Sequence, residues 1–258
     1  MSTISYTAKD ADDLVKAYST PDVIAQRQAT LALLGLQPGE RVLDAGCGPG
    51  FLSEEMAKQV GQTGKVHGVD ISPDFIALCR SRNPPPHLTY SEESALSIDT
   101  PNNGFDTLVS TQVAEYIDDT AALLSEFHRV VRPGGRVMIM TTDWDCVGWF
   151  SDNPRRMDEM MKAWAGHCPH GSLPRVLGKA LKNAGFSSLK IATHPIINTN
   201  FGEQTYSFGL AKLMQSYAVK SGISEDIASA WFDELRQLDR EDRYYFSTTR
   251  MIFSATKP

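Results

Sequence analysis

Apolar and polar residues alternate along the first 145 positions in blocks that fit strands and helices in turn. Apolar residues recur at helical spacing in the blocks 51–60, 72–82 and 119–131. Between these blocks, short apolar runs predict strands at 41–44, 65–70, 87–90, 105–110 and 136–142. Because strands that alternate with helices favour parallel pairing, the pattern predicts an α/β fold with a doubly wound parallel sheet.

Beyond residue 143 additional helical patterns interrupt this alternation. A strand is predicted at 189–193, and a last strand region lies between 244 and 255. Residues 10–35 also have helical spacing, broken near Pro21. Further helices are predicted at 154–166, 174–184, 205–219 and 225–239. The last two predicted strands are separated by two helices, which is more than an ordinary crossover connection contains. We therefore expect residues 197–240 to form a helical cap over a site.

The charge balance narrows the class of partner. The 258 residues include 25 Lys and Arg against 31 Asp and Glu, a net charge of −6. An acidic surface has no general attraction for nucleic acid or anionic membranes, so neither is expected as a partner. No run of about 18 apolar residues predicts a membrane span, and residues 1–20 lack the apolar segment of a signal peptide. A cytoplasmic protein is therefore expected.

Cysteine usage gives no sign of a metal or disulfide framework. The four cysteines stand at 47, 79, 146 and 168, far apart and without the spacing of metal ligands. We therefore expect no structural zinc, no disulfides and no metal in the site.

The segment with the clearest chemistry is the glycine-rich turn after the first predicted strand. Glycines let the backbone turn sharply and approach a ligand, and an acid that ends the second strand, here Asp70, can bind ribose hydroxyls. A dinucleotide fingerprint would have Gly or Ala where Phe51 stands, which disfavours a nicotinamide dehydrogenase. The turn reads Asp44-Ala45-Gly46-Cys47-Gly48-Pro49-Gly50.

Several segments, in matching order, resemble the class I S-adenosylmethionine (SAM) dependent methyltransferases. The glycine turn resembles motif I of that family, and Asp70 stands at the position of its ribose-binding acid. The other matching segments are 91–96, 105–106, 110–113 and 124–135, the last of which resembles the family's E-x-x-R-V-L-K-P-G-G pattern. The resemblance covers residues 40–195 well and the last strand loosely. It implies a Rossmann-like, seven-stranded sheet, mostly parallel with an antiparallel last strand, plus the helical cap.

The resemblance also suggests how the chain is organised. Residues 1–258 would form a single methyltransferase domain. Its parts would be an N-terminal helical lid at 1–38, a SAM-binding core at 39–145, a continuation with an insertion at 146–196, the cap at 197–240 and a last strand region at 241–258.

The cofactor implied is SAM, with S-adenosylhomocysteine (SAH) as the product. SAM would lie over Gly46–Gly50, and the backbone at Gln112 would lie beside its methionine part. Asp44 would either orient the glycine loop or contact the methionine ammonium. Glu92 stands at the usual position of the acid that addresses the adenine, with Glu93 as a competing candidate. The full set of residues implied to bind SAM is Asp44, Gly46, Gly48, Gly50, Asp70, Ile71, Glu92, Glu93, Ser94, Ala95 and Gln112.

Methyl transfer by in-line SN2 displacement asks the protein mainly to position the acceptor and exclude water. A base is needed only when the acceptor must lose a proton. The family often places that base near the fourth or fifth strand, where the candidates are Glu115, Tyr116 and Asp143. His167, in the insertion, is a further candidate. Many relatives have His-His where this chain has Glu115-Tyr116, so a histidine at that place cannot be inferred.

The expected activity is methyl transfer from SAM to an oxygen, carbon or nitrogen of a small, fairly hydrophobic organic acceptor. The resemblance is strongest to enzymes of quinone biosynthesis and natural-product tailoring, and a monomer or homodimer is expected. The alternative is a SAM-binding protein of the same fold that catalyses a different reaction or senses a ligand. A nucleic acid methyltransferase is disfavoured by the sequence pI of about 5.5.

Overall fold

The computed structural model describes residues 15–258, so positions 1–14 of the predicted N-terminal lid lie outside the described residues. Residues 15–18 are helical. The α-helices that follow are α1 (Pro21–Leu34), α2 (Phe51–Val60), α3 (Pro73–Ser81), α4 (Thr120–Val130), α5 (Pro154–Trp164), α6 (Pro174–Asn183), α7 (Tyr206–Lys220) and α8 (Glu225–Arg240). The strands are β1 (Arg41–Ala45), β2 (Lys65–Asp70), β3 (Leu88–Glu92), β4 (Phe105–Thr111), β5 (Val131–Thr142), β6 (Gly148–Trp149), β7 (Ser187–Asn198) and β8 (Phe246–Thr256).

The strands join in one sheet in the order β3-β2-β1-β4-β5-β8-β7. Strands β1 to β5 are parallel, whereas β8 runs antiparallel to both β5 and β7. This confirms the predicted α/β fold, a mostly parallel sheet with an antiparallel last strand. The expected number of seven strands is one too low, because the two residues of β6 pair with Phe246 and Ser247 of β8 beyond the end of β5.

Two strands are longer than the sequence pattern indicates. The strand expected at 189–193 extends over all of β7, because β7 pairs with β8 as far as Asn198. Pro195 lies within β7 and is tolerated because β7 is at the edge of the sheet. The turn expected before residue 136 is part of β5, where the pairing with β4 is irregular between Val131 and Arg136. Both differences arise from pairing with distant strands, which local periodicity does not report.

Helices cover both faces of the sheet. One layer contains α1, α2 and α3, and buried side chains such as Met56 pack there against Val42 of β1. The other layer contains α4 and α6, where Phe127 and Leu177 pack with Leu43, the next residue of β1. Because successive side chains of a strand point to opposite faces, β1 contributes to both cores.

The remaining helices, α5, α7 and α8, form a third core. Trp164 and Trp231 are fully buried there, together with Leu235. Ile196 of β7 and Phe246 of β8 belong to the same cluster, which therefore packs on the edge where the parallel strands end. That edge is where doubly wound sheets bind ligands. None of the helices within residues 15–258 is both long and apolar enough to span a bilayer.

Candidate active site

The glycine turn is fixed by backbone contacts between β1 and β2. The amides of Gly46 and Cys47 both donate to the carbonyl of Val69, at 2.8 and 2.9 Å. Gly46 has φ of +80°, and a Cβ added to it would lie 2.2 Å from Cγ2 of Val113. At Gly50 (φ +77°) an added Cβ would lie 2.6 Å from Sγ of Cys79. Both positions therefore require glycine, for conformation and for space.

Asp70, at the end of β2, is held by the turn it faces. Its carboxylate accepts hydrogen bonds from the amide of Gly48 at 2.8 Å and from the amide of Ser72 at 2.9 Å. Burial raises the pKa of Asp70 above its usual value, and these two amides offset part of that effect. The neighbouring Ile71 is 68% exposed. The structure therefore places the predicted ribose acid directly beside the glycine turn, with an open apolar side chain next to it.

The two candidate acids after β3 differ in their contacts. Glu92 lies opposite Asp70 in the β2–β3 pairing and is exposed. The carboxylate of Glu93 instead accepts a hydrogen bond from the amide of Asp99 at 2.8 Å and lies 3.7 Å from Nε2 of His67. Because these contacts hold Glu93 to the loop, the geometry favours Glu92 as the residue that faces a ligand.

The next two residues of this loop have different surroundings. Ser94 is exposed, and its hydroxyl accepts a hydrogen bond from the amide of Leu96 at 3.2 Å. Ala95 is 5% exposed and packs in the core formed with α4. Ala95 can therefore approach a ligand only through its backbone.

A cleft runs between the glycine turn and the N-terminal helices. Tyr18 and four residues of α1 form one wall, the glycine turn forms the other, and Thr111 and Met140 close the end. Asp44 lines this cleft although it is only 1% exposed. The hydroxyl of Ser53 donates to its carboxylate at 2.5 Å. Burial raises the pKa of Asp44 to about 7, and the charge of Asp70 acts in the same direction.

Gln112 follows β4 at the end of this cleft and has φ of +57°, an uncommon conformation for a residue other than glycine. Its Oε1 accepts hydrogen bonds from the Thr142 hydroxyl and from Nη1 of Arg250, both at 2.7 Å. Its Nε2 is buried and has no hydrogen-bond partner within residues 15–258. The side chain of Gln112, whose backbone the resemblance places beside the methionine part, is thus oriented toward β5 and β8.

Glu115 is fully buried in the short turn after β4. Burial raises its pKa to about 7, and Thr141 and nearby backbone amides offset part of this effect, as does the charge of Arg250. In the described part of the chain, however, neither carboxylate oxygen makes a hydrogen bond of normal geometry. An unpaired buried carboxyl is costly, which makes Glu115 a candidate for a functional role.

His167 is also fully buried and lies among aromatic rings. Its ring stacks on Trp164 with centroids 3.8 Å apart, and Trp144 approaches edge-on at 4.7 Å. Nδ1 lies 2.7 Å from the carbonyl oxygen of Trp164 and must donate, because a carbonyl only accepts. Nε2 then presents a lone pair, for which residues 15–258 provide no partner. Burial lowers the pKa of His167 to about 4, so its ring is neutral at pH 7.

The other two catalytic candidates have structural contacts. Tyr116 packs edge-on against His167 with ring centroids 5.8 Å apart. Asp143 is paired with Arg175 through both carboxylate oxygens, at 2.8 and 3.0 Å. A carboxylate held in this way is a poor candidate for a base. Within residues 15–258 no group of three or more His, Cys, Asp or Glu side chains converges as a metal site would require.

Sequence reasoning missed Arg250, which contacts Gln26 of α1 as well as Gln112 and is only 3% exposed. A signal was present in the last strand. Phe246, Thr248, Arg250 and Ile252 are all buried and alternate with less buried neighbours, so the arginine stands at an inward-facing position. A charged residue at an inward-facing position of a strand is rare unless it is paired or functional.

A doubly wound sheet with a glycine turn after β1 and an acid after β2 defines a nucleotide-binding class of α/β protein. Comparison with known proteins is consistent with this class. Residues 43–139 match the family described as methyltransferase domain. The predicted resemblance is thus confirmed over the matched residues, 43–139.

Two curated relatives and one solved structure give the range of similarity. Demethylmenaquinone methyltransferase of Oceanobacillus iheyensis is 32% identical over 119 residues, 45% of this chain and 50% of that protein. An uncharacterized 37.1 kDa protein in transposon TN4556 of Streptomyces fradiae is 28% identical over 218 residues, 81% of this chain and 61% of that protein. Phosphoethanolamine N-methyltransferase 2 of Haemonchus contortus, solved with S-adenosyl-L-methionine, has a TM-score of 0.65 at 20% identity and covers 99% of this chain and 58% of its own. The chain thus spans less than two thirds of the length of each.

Proposed function

We propose that this chain transfers a methyl group from SAM to a small, fairly hydrophobic organic acceptor. The observation that carries the proposal is the cleft between the glycine turn and α1. The buried carboxylate of Asp44 at this cleft suits the ammonium of the methionine part, and Asp70 beside it suits ribose hydroxyls. The positive φ values of Gly46 and Gly50 shape the turn that forms one wall of this cleft.

When bound, SAM supplies an electrophilic methyl group on its sulfonium. The residues of this chain would hold it in three places: Asp44 at the ammonium, Asp70 at the ribose and Glu92 near the adenine. Thr30 of α1 and Met140 of β5 line the same cleft and would exclude water from the methionine side. The remaining task of the protein is to align an acceptor, which can lower the barrier substantially without a covalent intermediate on the protein.

The rings around His167 suggest the chemical character of the acceptor. Trp144, Trp164, Tyr116 and Tyr217 surround the imidazole at ring distances of 3.8–6.5 Å. An aromatic wall of this kind suits a flat or hydrophobic molecule. By their names, the relatives above differ in acceptor, from demethylmenaquinone to phosphoethanolamine. A hydrophobic, ring-containing acceptor is the choice that the aromatic cluster supports.

Glu115 is the proposed base for an acceptor that must lose a proton. A pKa of about 7 matches the pH at which such a group works best, and neither carboxylate oxygen makes a hydrogen bond of normal geometry to another described residue. His167 would accept a hydrogen bond at Nε2 and position the acceptor, with Tyr116 packed against it. Asp143 is the weakest of the four candidates because Arg175 engages both its oxygens.

Incubation of the purified protein with SAM and a panel of phenols and quinols tests this function. We expect SAH and an acceptor product heavier by one methyl group, both measured by mass spectrometry. Glu115→Gln should lower the rate by about 10²-fold while the Kd for SAM changes less than about twofold. Glu126→Gln is a matched control, because that carboxylate pairs with Arg129 away from the cleft. Consumption of the acceptor without a methylated product would instead favour the non-methylating alternative.

The proposal includes a cytoplasmic location and a monomeric or homodimeric state. Light scattering of the purified chain tests the second point, and fractionation of cells tests the first.

A further inference from the structure

Arg250 is a buried cation at the edge of the sheet where the parallel strands end. In β8 it lies opposite Thr142, the last residue of β5, and opposite His194 of β7. Its Nε donates to Oε1 of Gln26 at 2.7 Å, and its Nη1 donates to Gln112 and to the Thr142 hydroxyl. The guanidinium carbon lies 4.7 Å from the centre of the Tyr206 ring. Arg250 therefore sits between α1, the end of β4 and the cap.

None of these contacts neutralises the charge. All hydrogen-bond partners of Arg250 are neutral, and within residues 15–258 no carboxylate lies within ion-pair distance of it. Asp22, one turn before Gln26, instead accepts from Asn198 and from the amide of Tyr206. Other partly buried arginines do have acids: Arg82 pairs with Glu54, Arg136 with Glu40 and Arg156 with Glu234. A buried charge without an ion-pair partner is expensive, which makes Arg250 a candidate for binding a charged ligand.

Two donor groups at Arg250 and Gln112 are left without a partner. Its Nη2 makes no hydrogen bond to any residue in the described part, and Nε2 of Gln112 is buried without a partner. The amide of Gln112 cannot turn round, because its oxygen already accepts from Arg250 and Thr142. The charge of Arg250 also acts on the Glu115 carboxyl, but two unsatisfied donor groups and one positive charge match a carboxylate or a phosphate.

This donor group lies behind the SAM cleft, toward the helical cap. Gln26 lines the cleft, and Arg250 lies behind it on β8. Strand β8 is two strands from β4 and three from β1, so its backbone is about 10–15 Å from the strands that hold the glycine turn. The aromatic ring of Tyr206 covers the guanidinium from the cap side. An anion bound there would belong to a molecule lying between the cleft and the cap.

We propose that Arg250 and Gln112 bind an anionic group, a carboxylate or a phosphate, carried by the hydrophobic methyl acceptor. This inference rests on the proposed methyltransferase function and narrows its substrate class to acidic molecules. Arg250 acts here as a specificity-determining residue, because it fixes the end of the acceptor that is not methylated.

Calorimetric titration of the SAH-saturated protein with three probes of equal chain length tests the proposal. The probes are octanoate, octyl phosphate and the neutral octanamide. We expect at least one of the two anions to bind about tenfold or more tightly than octanamide, since an ion pair desolvated in this way is worth at least that factor. Which anion binds better identifies the group. Equal binding of all three probes, or binding of none, would overturn the proposal without any variant being needed.

Two variants locate the effect. Arg250→Met keeps the length of the side chain without its charge, and should abolish the preference for the anions while SAH affinity stays within about twofold. Arg136→Met removes an arginine that pairs with Glu40 at the other end of the β5–β8 pairing, away from Arg250. This variant should leave the preference for the anions intact. A preference retained in folded Arg250→Met would contradict the assignment. So would a parallel loss of SAH affinity, because the guanidinium would then serve the methionine carboxylate. SAH binding by the wild type separates failure of this inference from failure of the proposed function.

Discussion

The glycine-turn side of the cleft and its β8 side are held together in different ways. On the first side, backbone amides of Gly46, Cys47 and Gly48 bond to the end of β2, and the contacts lie within one βαβ unit. On the second side, side chains make the contacts: Arg250 reaches Gln26 across 224 positions of sequence and Gln112 across 138. The first side satisfies its polar groups, whereas the second leaves Gln112 Nε2 and the Glu115 carboxylate unpaired within residues 15–258.

This difference separates a structural role from a ligand-binding one. The glycine turn has its shape before any ligand arrives, because main-chain hydrogen bonds and close packing determine it. The β8 side forms only after α1, β4, β5 and β8 have assembled, and its unpaired donors and carboxyl gain partners when a ligand binds. We therefore expect substitutions in the turn to change stability and SAM binding together. Substitutions on the β8 side should change acceptor binding or pH dependence more selectively.

The largest effect is expected from Gly46→Ala in the turn. The added methyl would lie 2.2 Å from Cγ2 of Val113, and φ of +80° is unfavourable for alanine. Overpacking and the backbone conformation together should lower the free energy of unfolding by about 4 kcal/mol, measured by urea denaturation.

Gly35→Ala is the matched control. Gly35 also has positive φ, of +55°, in the αL region, but an added Cβ would have no atom within 4 Å. Its cost should be only about 1 kcal/mol. Equal costs for the two variants would show that contact with Val113 does not determine the shape of the turn. The double variant with Val113→Ala should recover part of the loss.

A smaller effect, with a defined pH dependence, is expected from Glu115→Gln. The folded state holds the pKa of Glu115 at about 7, above its ordinary value of 4.5, so the folded state binds more protons between these values. The stability contributed by this group is therefore present at low pH and decreases as pH rises toward 7. Glutamine does not titrate, so the variant should gain up to about 3 kcal/mol relative to wild type between pH 4.5 and 8.

The opposite sign is expected for Glu126→Gln. Arg129 lowers the pKa of Glu126, so that carboxylate stabilises the fold above its unfolded pKa and the variant loses stability, relative to wild type, as pH rises. Thermal unfolding of both variants across pH measures the two trends. A stability difference for Glu115→Gln that does not change with pH would show that this carboxyl is not strained by burial.

The smallest effect is expected from Asp143→Asn. Asp143 pairs with Arg175, which is half exposed, and exposed ion pairs contribute little. We expect the rate of SAH formation to change less than about threefold, whereas removal of a general base costs about 10²-fold or more. A loss of the larger size would move the base from the β4 turn to the end of β5.

The fold and the SAM side could be predicted from the sequence because their signals are local. The glycine turn, Asp70 and the alternation of strands with helices can each be recognised within a few tens of residues. The E-x-x-R pattern is legible too, but its role is structural: Glu126 binds the amide of Ile98, and Arg129 binds the carbonyls of Ile98 and Thr100. The role of Arg250 could not be predicted from a local pattern, because its contacts depend on which strands flank β8. The free Nε2 of His167 likewise depends on a tautomer set by Trp164.

Calorimetric titration of the wild-type chain with SAM, SAH and NADH tests the central claim most directly. We expect both adenosyl ligands to bind with Kd in the micromolar range and NADH not to bind. Asp70→Ala should weaken both by about tenfold or more while the chain remains folded, because the ribose loses its acceptor. Tight NADH binding with no adenosyl binding would contradict the account, and an unchanged SAM affinity in Asp70→Ala would remove the ribose assignment on which the geometry of the site depends.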